Sequence, residues 1–545
     1  MTMSTSNLYY RYFKRDSRIV KFIRHLDKQN SKIVKTSNDK NGEILLEVSL
    51  GFPRYLSYSF FTREFLKLNS TVIGYHPKLV VSAKTRALQK FFSVLPIDNG
   101  LSTPYRILNA IGVTKYIRPK IYRNWDKADQ EITNDLDRLV ALGPDHLAHF
   151  QLSGILIGDL LYDWHMRTRK VASPNLDSEE FKMDFVLFIR AFNWWLKYFD
   201  NHKVIAVMAT HAVYDQGLPV RIAIQRNIET FIVSGDRNYR LDSFRKFPDL
   251  EFMDYIPFSG EQFSYKVDLN FGRKALHELS SGSATLDAAH AVVSGFRGNG
   301  EFKVPDKSNK LRVLIAAHCF EDAPHASGSQ VFEDFMAWLE FLGEISSQTQ
   351  YFWMIKMHPF FSESDKAHFY AWAVRFPQIM IIPGDVSNQS LFAQGIDAIF
   401  TVHGTIAFEA AFNDVLVVSS AKLSPHMNYK FSINAQSKSE LESIILELPK
   451  IKKIHHINKE EVIHFYALHH LRSANHWLWR NQTWSLLNAV GGYTNLPSSP
   501  LVLDFWLRRI HSFQTQLQLE KEVKEFIQSN RYLLQFNVND FLETI

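Results

Sequence analysis

One cysteine, Cys319, stands in 545 residues, which excludes an internal disulfide and any zinc site built on several thiolates, and fits a reducing compartment. No run reaches the roughly 20 predominantly apolar residues that a membrane-spanning helix requires; the best stretch, 152–161, is short and carries Asp159. Residues 1–21 (MTMSTSNLYYRYFKRDSRIVK) lack the apolar core and cleavage site of a secretory leader, so a cytoplasmic chain is expected, with any membrane association peripheral. Charge of one sign is scarce too. The 62 Lys+Arg against 56 Asp+Glu leave a formal +6 with no basic tract, which gives nucleic-acid binding no support. There is no internal repeat and no low-complexity segment. No DxD lies in a strand–loop setting, so chemistry without a metal and without a cofactor is expected.

What is present is ordinary globular material, 46 % apolar and 22 % charged. Aromatics reach 14 %, with 43 Phe and 11 Trp, and read first as thick packing. At this length one core does not suffice, so two large domains with added helices are expected. Residues 43–50 (EILLEVSL) read as a strand, 60–68 as a helix and 71–75 as a strand, an open β-α-β rhythm. A long apolar-periodic helix is expected near 146–168, an aromatic helix over 184–199, a buried strand over 203–210, a helix over 217–227 and a strand over 229–233. Residues 275–296 read as an added helix.

The clearest boundary is 298–309 (GNGEFKVPDKSN), where Gly, Pro and charge precede the abrupt apolar strand 312–317 (RVLIAA). Further strands are expected at 351–357, 378–382, 398–401 and 415–418, separated by helices at 331–345, 364–376, 388–394 and 406–412. That alternation predicts a doubly wound parallel sheet. Beyond it 437–447, 460–487 and 502–529 read as helices, the last long and aromatic. The expected plan is an N-terminal α/β domain with helical additions over 1–300, a second α/β domain over 301–490, and a helical tail over 491–545 packing back on the first domain.

In an open parallel sheet ligands bind beyond the carboxyl ends of the strands, so the loops there carry the candidate chemistry. Loop 318–330 (HCFEDAPHASGSQ) offers Ser327, Gly328 and Ser329 before a helix, small residues that let backbone N–H groups approach a phosphate; an ordinary Ser cap reads the same way. In 355–359 (IKMHP), Lys356 and His358 leave a strand end, suited to the charge that develops on a phosphate leaving group. In 401–418 (TVHGTIAFEAAFNDVLVV), His403, Gly404 and Thr405 form a turn into a helix. Gly404 permits close backbone approach, and Thr405 can cap the helix and offer its hydroxyl to phosphate. Glu409, four residues on and so on the same helical face, can accept hydrogen bonds from ribose hydroxyls.

The KxHP strand end, the HGT turn and the FEA helix together resemble the C-terminal donor domain of bacterial capsule and lipopolysaccharide glycosyltransferases, over roughly 313–418. The pattern is most similar to the Kdo (3-deoxy-manno-octulosonate) transferases of capsule synthesis, and more distantly to bacterial sialyltransferases. The resemblance implies a GT-B-like α/β fold, two Rossmann-type domains facing a central cleft, with additional helices. It implies that His358 and Thr405 hold the phosphate of a CMP-activated acidic sugar, with Lys356 and Glu409 beside them. Ser327, Gly328, His403 and Gly404 complete the expected donor set, and the sequence departs from the pattern at His403, where Ser or Asn is common. The partners implied are a nucleotide-sugar donor and a glycan or glycolipid acceptor, at or near the inner face of the cytoplasmic membrane.

In the N-terminal half, 158–163 (GDLLYD), followed by Arg167, Arg169 and Lys170, resembles a GDLIYD-type stretch in proteins of surface-carbohydrate clusters. Asp159 and Asp163, spaced by four, are candidate catalytic carboxylates, as base or nucleophile, with a helix-end ion pair to the arginines as the plain alternative. After strand 203–210, THAVYDQG presents His211 as a candidate base, and Tyr214 and Arg221 as candidate binders of an acceptor or donor carboxylate, with simple helix capping as the alternative. Four other readings fit the same residues: a UDP- or GDP-hexose transferase, a CDP-polyol phosphotransferase, a UDP-sugar epimerase on the same fold, and a non-catalytic sugar-binding subunit of a capsule-assembly complex.

Overall fold

The computed structural model describes residues 16–33, 41–49, 51–77, 79, 103–119, 121, 130–233, 238–241, 269–280, 301–306, 309–326, 330–422, 424, 426–427, 429–467, 478, 483–490, 498–529 and 534. They fall into two compact units, each discontinuous in sequence: unit 1 is Met1–Asn134, Met183–Lys246 and Ala474–Ile545, and unit 2 is Asp135–Lys182 and Phe247–Ser473.

The strands are β1 (Glu43–Glu47), β2 (Thr71–Tyr75) and β3 (Val113–Ile117), the short hairpin β4 (Gln151–Leu152) and β5 (Ile155–Leu156), then β6 (Val204–Ala209), β7 (Glu229–Val233) and β8 (Asn238–Leu241). Six more follow: β9 (Arg312–Ala316), β10 (Phe352–Lys356), β11 (Met380–Ile382), β12 (Ala398–Thr401), β13 (Leu416–Ser419) and β14 (Ile433–Asn434). Unit 1 has a six-stranded sheet in the order β3-β2-β1-β6-β7-β8, parallel except for the antiparallel β7–β8 pair. Unit 2 repeats the plan as β11-β10-β9-β12-β13-β14, parallel throughout. Both are the doubly wound order of a Rossmann fold, with switch points at β1/β6 and β9/β12.

The continuous apolar run of β9 follows from a sheet covered on both faces. Val313 and Ile315 enter one core with Trp338, Trp353 and Trp372, while Leu314 and Ala316 enter the other with Phe408 and Tyr466. Each fully buried Leu, Ile or Phe in such a core contributes roughly 1.5–3 kcal/mol relative to exposure. In unit 1 the helices Ser17–Asn30, Phe52–Lys67 and Phe513–Gln528 cover one sheet face, supplying Phe22, Leu56 and Phe526 among others. Arg240 of β8 ties the last of these down. Its guanidinium lies 4.8 Å from the Phe231 ring centroid and donates to the carbonyls of Phe526, Ile527 and Ser529 at 3.1, 2.8 and 2.9 Å.

Two expected helices are broken. In place of one helix near 146–168 there is a 3-10 turn, Pro144–His149, then the β4–β5 hairpin and the helix Gly158–Arg169. Ser153 (φ 54°) and Gly154 (φ 72°) are both left-handed, the hairpin-turn conformation, and this stops the helical run. In the tail, Leu501–Phe505 runs into a π turn, Trp506–Ile510, and a new helix, Phe513–Gln528, begins where Ser512 Oγ accepts from the Thr515 N–H at 3.1 Å. Residues 135–182, expected in the first domain, lie in unit 2. Of the helix expected over 275–296, the described part is Leu269–Ser280, and the remainder lies outside the described residues. Among the described residues no helix is long and apolar enough to cross a membrane.

Candidate functional site

The carboxyl edge of the unit 2 sheet carries a histidine two residues beyond each of three adjacent strands: His358 after β10, His318 after β9 and His403 after β12. Register sets them level. Lys356 pairs with Ala316 and Phe400 with Ile315, so the positions two beyond the strand ends fall side by side. His318 stacks on Phe335 at 4.6 Å and meets His403 edge-on at 5.1 Å. Its Nε2 accepts from the Val402 N–H at 3.2 Å, so the Thr401 hydroxyl, also at 3.2 Å, donates to the same nitrogen. Thr401 Oγ1 in turn accepts from the Gly404 N–H at 3.2 Å, and a Cβ on Gly404 would stand 2.8 Å from that oxygen. His358 Nδ1 accepts from the Phe360 N–H at 3.2 Å and lies 3.0 Å from Cys319 Sγ, whose thiol burial keeps protonated; the imidazole proton is therefore on Nε2. Burial holds all three rings neutral. His358 is pushed down to about 4 by burial and then by Lys356, His403 to about 4 by burial, and His318 well below the usual range by burial and then by the other two rings.

Lys356, the last residue of β10, is 5 % exposed and donates to Asn388 Oδ1 at 2.8 Å, while Asn388 Nδ2 donates to Glu409 Oε2 at 3.0 Å. Burial pushes the ammonium down to about 8 against the pull of Glu409 and Asp385, leaving it charged at neutral pH. Thr405 and Glu409, expected on one ligand-facing side, are divided. Glu409 is 3 % exposed and linked to Lys356 through Asn388, whereas Thr405 is exposed at the N-cap of Ile406–Phe412 and makes no side-chain cap bond. Ser327 and Gly328 lie outside the described residues.

Asp159 and Asp163 are both buried in unit 2, on the helix Gly158–Arg169. Asp163 pairs with an imidazole. His325 Nδ1–H donates to Asp163 Oδ1 at 2.6 Å, and the His325 backbone N–H lies 3.3 Å from Oδ2. Beside this pair, Tyr162 donates its hydroxyl to Asp334 Oδ2 at 2.6 Å, and its ring meets His325 edge-on at 4.9 Å. Asp334 also caps the helix Phe335–Ser346 by accepting from the Ala337 N–H at 2.7 Å, and Phe335 is the ring on which His318 stacks. The dyad and the strand-end histidines thus meet through consecutive residues, Asp334 and Phe335. Burial raises Asp163 to about 6 even with His325 alongside. Burial also opposes a charge on His325, but Asp163, followed by Asp159 and Asp334, overrides it and raises the imidazole above its usual value. Gly158 lets this helix start where it does, because a Cβ there would stand 1.8 Å from the Leu147 carbonyl oxygen.

The remaining sequence candidates lie in unit 1. His211 is exposed after β6, Tyr214 takes φ 54°, and Arg221 is 2 % exposed within the helix Gly217–Gln225. At the β1/β6 switch point of this unit, Glu47 accepts from the Thr210 N–H (2.6 Å), the Thr210 hydroxyl (2.8 Å) and the Gln216 amide (3.0 Å). A carboxylate where a Rossmann phosphate would sit makes this end unsuited to an anion.

His318, His325, Asn388 and Asp334 are members of the site that residue types alone do not single out. His318 was within reach, since a histidine stands at the same offset after three strands; His325 was not, because its partner is 162 residues away. Among the described residues no group of three or more His, Cys, Asp or Glu is arranged to hold a metal ion.

No protein-family model and no curated protein matches the chain. Among solved structures it is similar to the UDP-GlcNAc 2-epimerase from Neisseria meningitidis bound to UDP-GlcNAc, with 10 % identity over 78 % of this chain and 97 % of that one and a TM-score of 0.25. A glycosyltransferase from Rickettsia africae is similar at 11 % identity over 87 % and 100 %, with a TM-score of 0.28. The Methanocaldococcus jannaschii UDP-GlcNAc 2-epimerase in complex with UDP-GlcNAc and UDP is similar at 12 % over 78 % and 98 %, with a TM-score of 0.23. Likeness at this level carries nothing about chemistry; the strand order of each sheet assigns the fold.

Proposed function

We propose that the chain is a glycosyltransferase that binds a nucleotide-sugar at the carboxyl edge of the unit 2 sheet. The donor in this reading is a CMP-linked acidic sugar, Kdo or a related nonulosonic acid, and the acceptor a glycan or glycolipid of bacterial surface-polysaccharide synthesis. The observation that carries the reading is the level row of half-buried, neutral imidazoles beside the buried ammonium of Lys356 at a Rossmann switch point. Hydrogen-bond donors and a cation held in a low-dielectric place favour a bound phosphate, and favour it more as the glycosidic bond breaks and charge collects on it. The resemblance of the KxHP and HGT segments to Kdo transferases supports the acidic donor.

In the reaction proposed, an acceptor hydroxyl attacks the anomeric carbon. The new C–O bond forms as the bond to the phosphate oxygen breaks, and the electron pair leaves with CMP. His358 Nε2–H and the Lys356 ammonium meet that charge. The acceptor proton goes to His325 Nε2, while Asp163 fixes the ring through Nδ1 and stabilises the imidazolium that forms.

Calorimetry and thermal shift with CMP, CDP, UDP and GDP test the donor assignment, because a ligand that binds only the folded chain raises its stability. CMP-selective binding that is lost in His358→Ala is the expected result. Selective UDP or GDP binding would transfer the reading to a hexose donor, and absence of all nucleotide binding would sink it.

A further inference from the structure

We infer that His426 is a further binding residue of this site: its Nε2–H, beyond the carboxyl end of β13, donates a hydrogen bond to an oxyanion oxygen of the bound nucleotide-sugar. The inference rests on the donor site proposed above and adds a residue that neither the motifs nor the resemblance points to. β13 neighbours β12, and His426, in the loop that follows β13, is close enough to His403 for that ring to act on it electrostatically.

The ring is 2 % exposed and held from several sides. Phe431 lies 5.7 Å from it and Phe465 meets it edge-on at 6.1 Å. Its Nδ1 is 3.1 Å from Ser432 Oγ and 3.5 Å from Ser424 Oγ. The Ser432 hydroxyl has two acceptors in reach, His426 Nδ1 at 3.1 Å and Asn434 Oδ1 at 3.4 Å, and the shorter contact assigns its proton to Nδ1. Nδ1 is therefore an acceptor and the ring proton sits on Nε2. That N–H is buried and has no hydrogen-bond partner among the described residues, and the same holds for Nε2 of His403. Buried donors are nearly always paired, so the His426 N–H is suited to an acceptor on a bound ligand. Apart from burial, the ionisable neighbour that bears on His426 is His403, and together they hold it neutral, down to about 3. Among the described residues no carboxylate acts on the ring to compete with a negatively charged oxygen. Such an oxygen has two sources on the proposed donor, the phosphate of the nucleotide and the carboxylate of the sugar.

The test is calorimetric binding of CMP and of CMP-Kdo to the full chain as wild type, His426→Met and His426→Gln. Met removes the donor, whereas the Gln amide N–H reaches the place of Nε2. Expected is a loss of about tenfold or more in affinity for at least one ligand in His426→Met, largely recovered in His426→Gln. Loss for both ligands identifies the phosphate, and loss for CMP-Kdo alone identifies the carboxylate. Equal affinities in wild type and His426→Met overturn the inference while leaving the donor site standing. If the wild type binds a UDP- or GDP-sugar instead, sensitivity of that binding to His426→Met supports the inference although the CMP donor is lost. No nucleotide binding by the wild type overturns both. If His426→Met does not fold, His426→Asn, whose amide reaches only the Nδ1 position, takes its place with the same expected loss.

Discussion

Lys356 sits at the end of β10 with its ammonium on Asn388 Oδ1, and burial carries it from 10.5 down to about 8. Between those two values the unfolded chain holds a proton that the folded chain has released, so stability rises with pH across that window. Below pH 8 the folded chain carries the charge at full cost, about 3 kcal/mol at roughly 1.4 kcal/mol per pH unit. Methionine at this position keeps most of the packing and removes the charge, while losing the Asn388 hydrogen bond costs about 1 kcal/mol. Lys356→Met should therefore make the ligand-free protein more stable by about 2 kcal/mol at pH 7, while weakening nucleotide binding. The advantage should shrink to near zero by pH 9.5, where the wild-type lysine is itself neutral in the folded state. Urea unfolding at pH 7 and pH 9.5, with hydrogen exchange following peptides that contain 352–356, reads both quantities. A variant less stable than wild type at pH 7, or a difference that does not change with pH, would refute the reasoning. Either result would mean that the Glu409 pairing outweighs burial.

Asp163→Asn removes the main group that raises His325, leaving burial opposed only by the weaker pull of Asp159 and Asp334. The acid limb of kcat/KM should move to lower pH while kcat falls by about 10²-fold or more, and an unmoved limb would separate Asp163 from the base. Gly158→Ala places a Cβ 1.8 Å from the Leu147 carbonyl oxygen and 2.7 Å from the Phe150 nitrogen, and should destabilise unit 2 by about 3 kcal/mol; a wild-type melting temperature would contradict the clash. Arg240→Gln frees three carbonyls and a ring contact at the end of Phe513–Gln528, and should speed hydrogen exchange there by an amount matching about 2–3 kcal/mol, with protection unchanged if the clasp is idle.

The second sheet was legible because its strands are continuous apolar runs punctuated by turn residues, and expected strand 398–401 and helix 406–412 match β12 and Ile406–Phe412. The strand-end residues Lys356, His358 and His403 followed from that placement. What escaped were features set by distant neighbours or by single backbone angles. The Ser153–Gly154 turn sits in a sequence whose apolar spacing suits a helix, and only the two left-handed residues decide against it. The partnership of Asp163 with His325 joins segments remote in sequence, and the burial of Glu409 reflects Lys356 and Asn388, not its own helix. No periodicity carries such information.

Because the Arg240 clasp holds a helix made after every other described helix, the first unit has a schedule as well as a shape. Its sheet leaves the ribosome early, yet Leu519, Val523 and Phe526 close its core only after the whole of Phe247–Ser473 has been synthesised. At about 5–20 residues per second that wait is roughly 10–45 s, and at its end the second unit has all its segments and can fold before the first. Translation speed and chaperone supply should then govern the yield of the first unit more than that of the second. A ribosome stalled before the clasped helix should hold a protease-resistant second unit beside a first unit that is still cleavable.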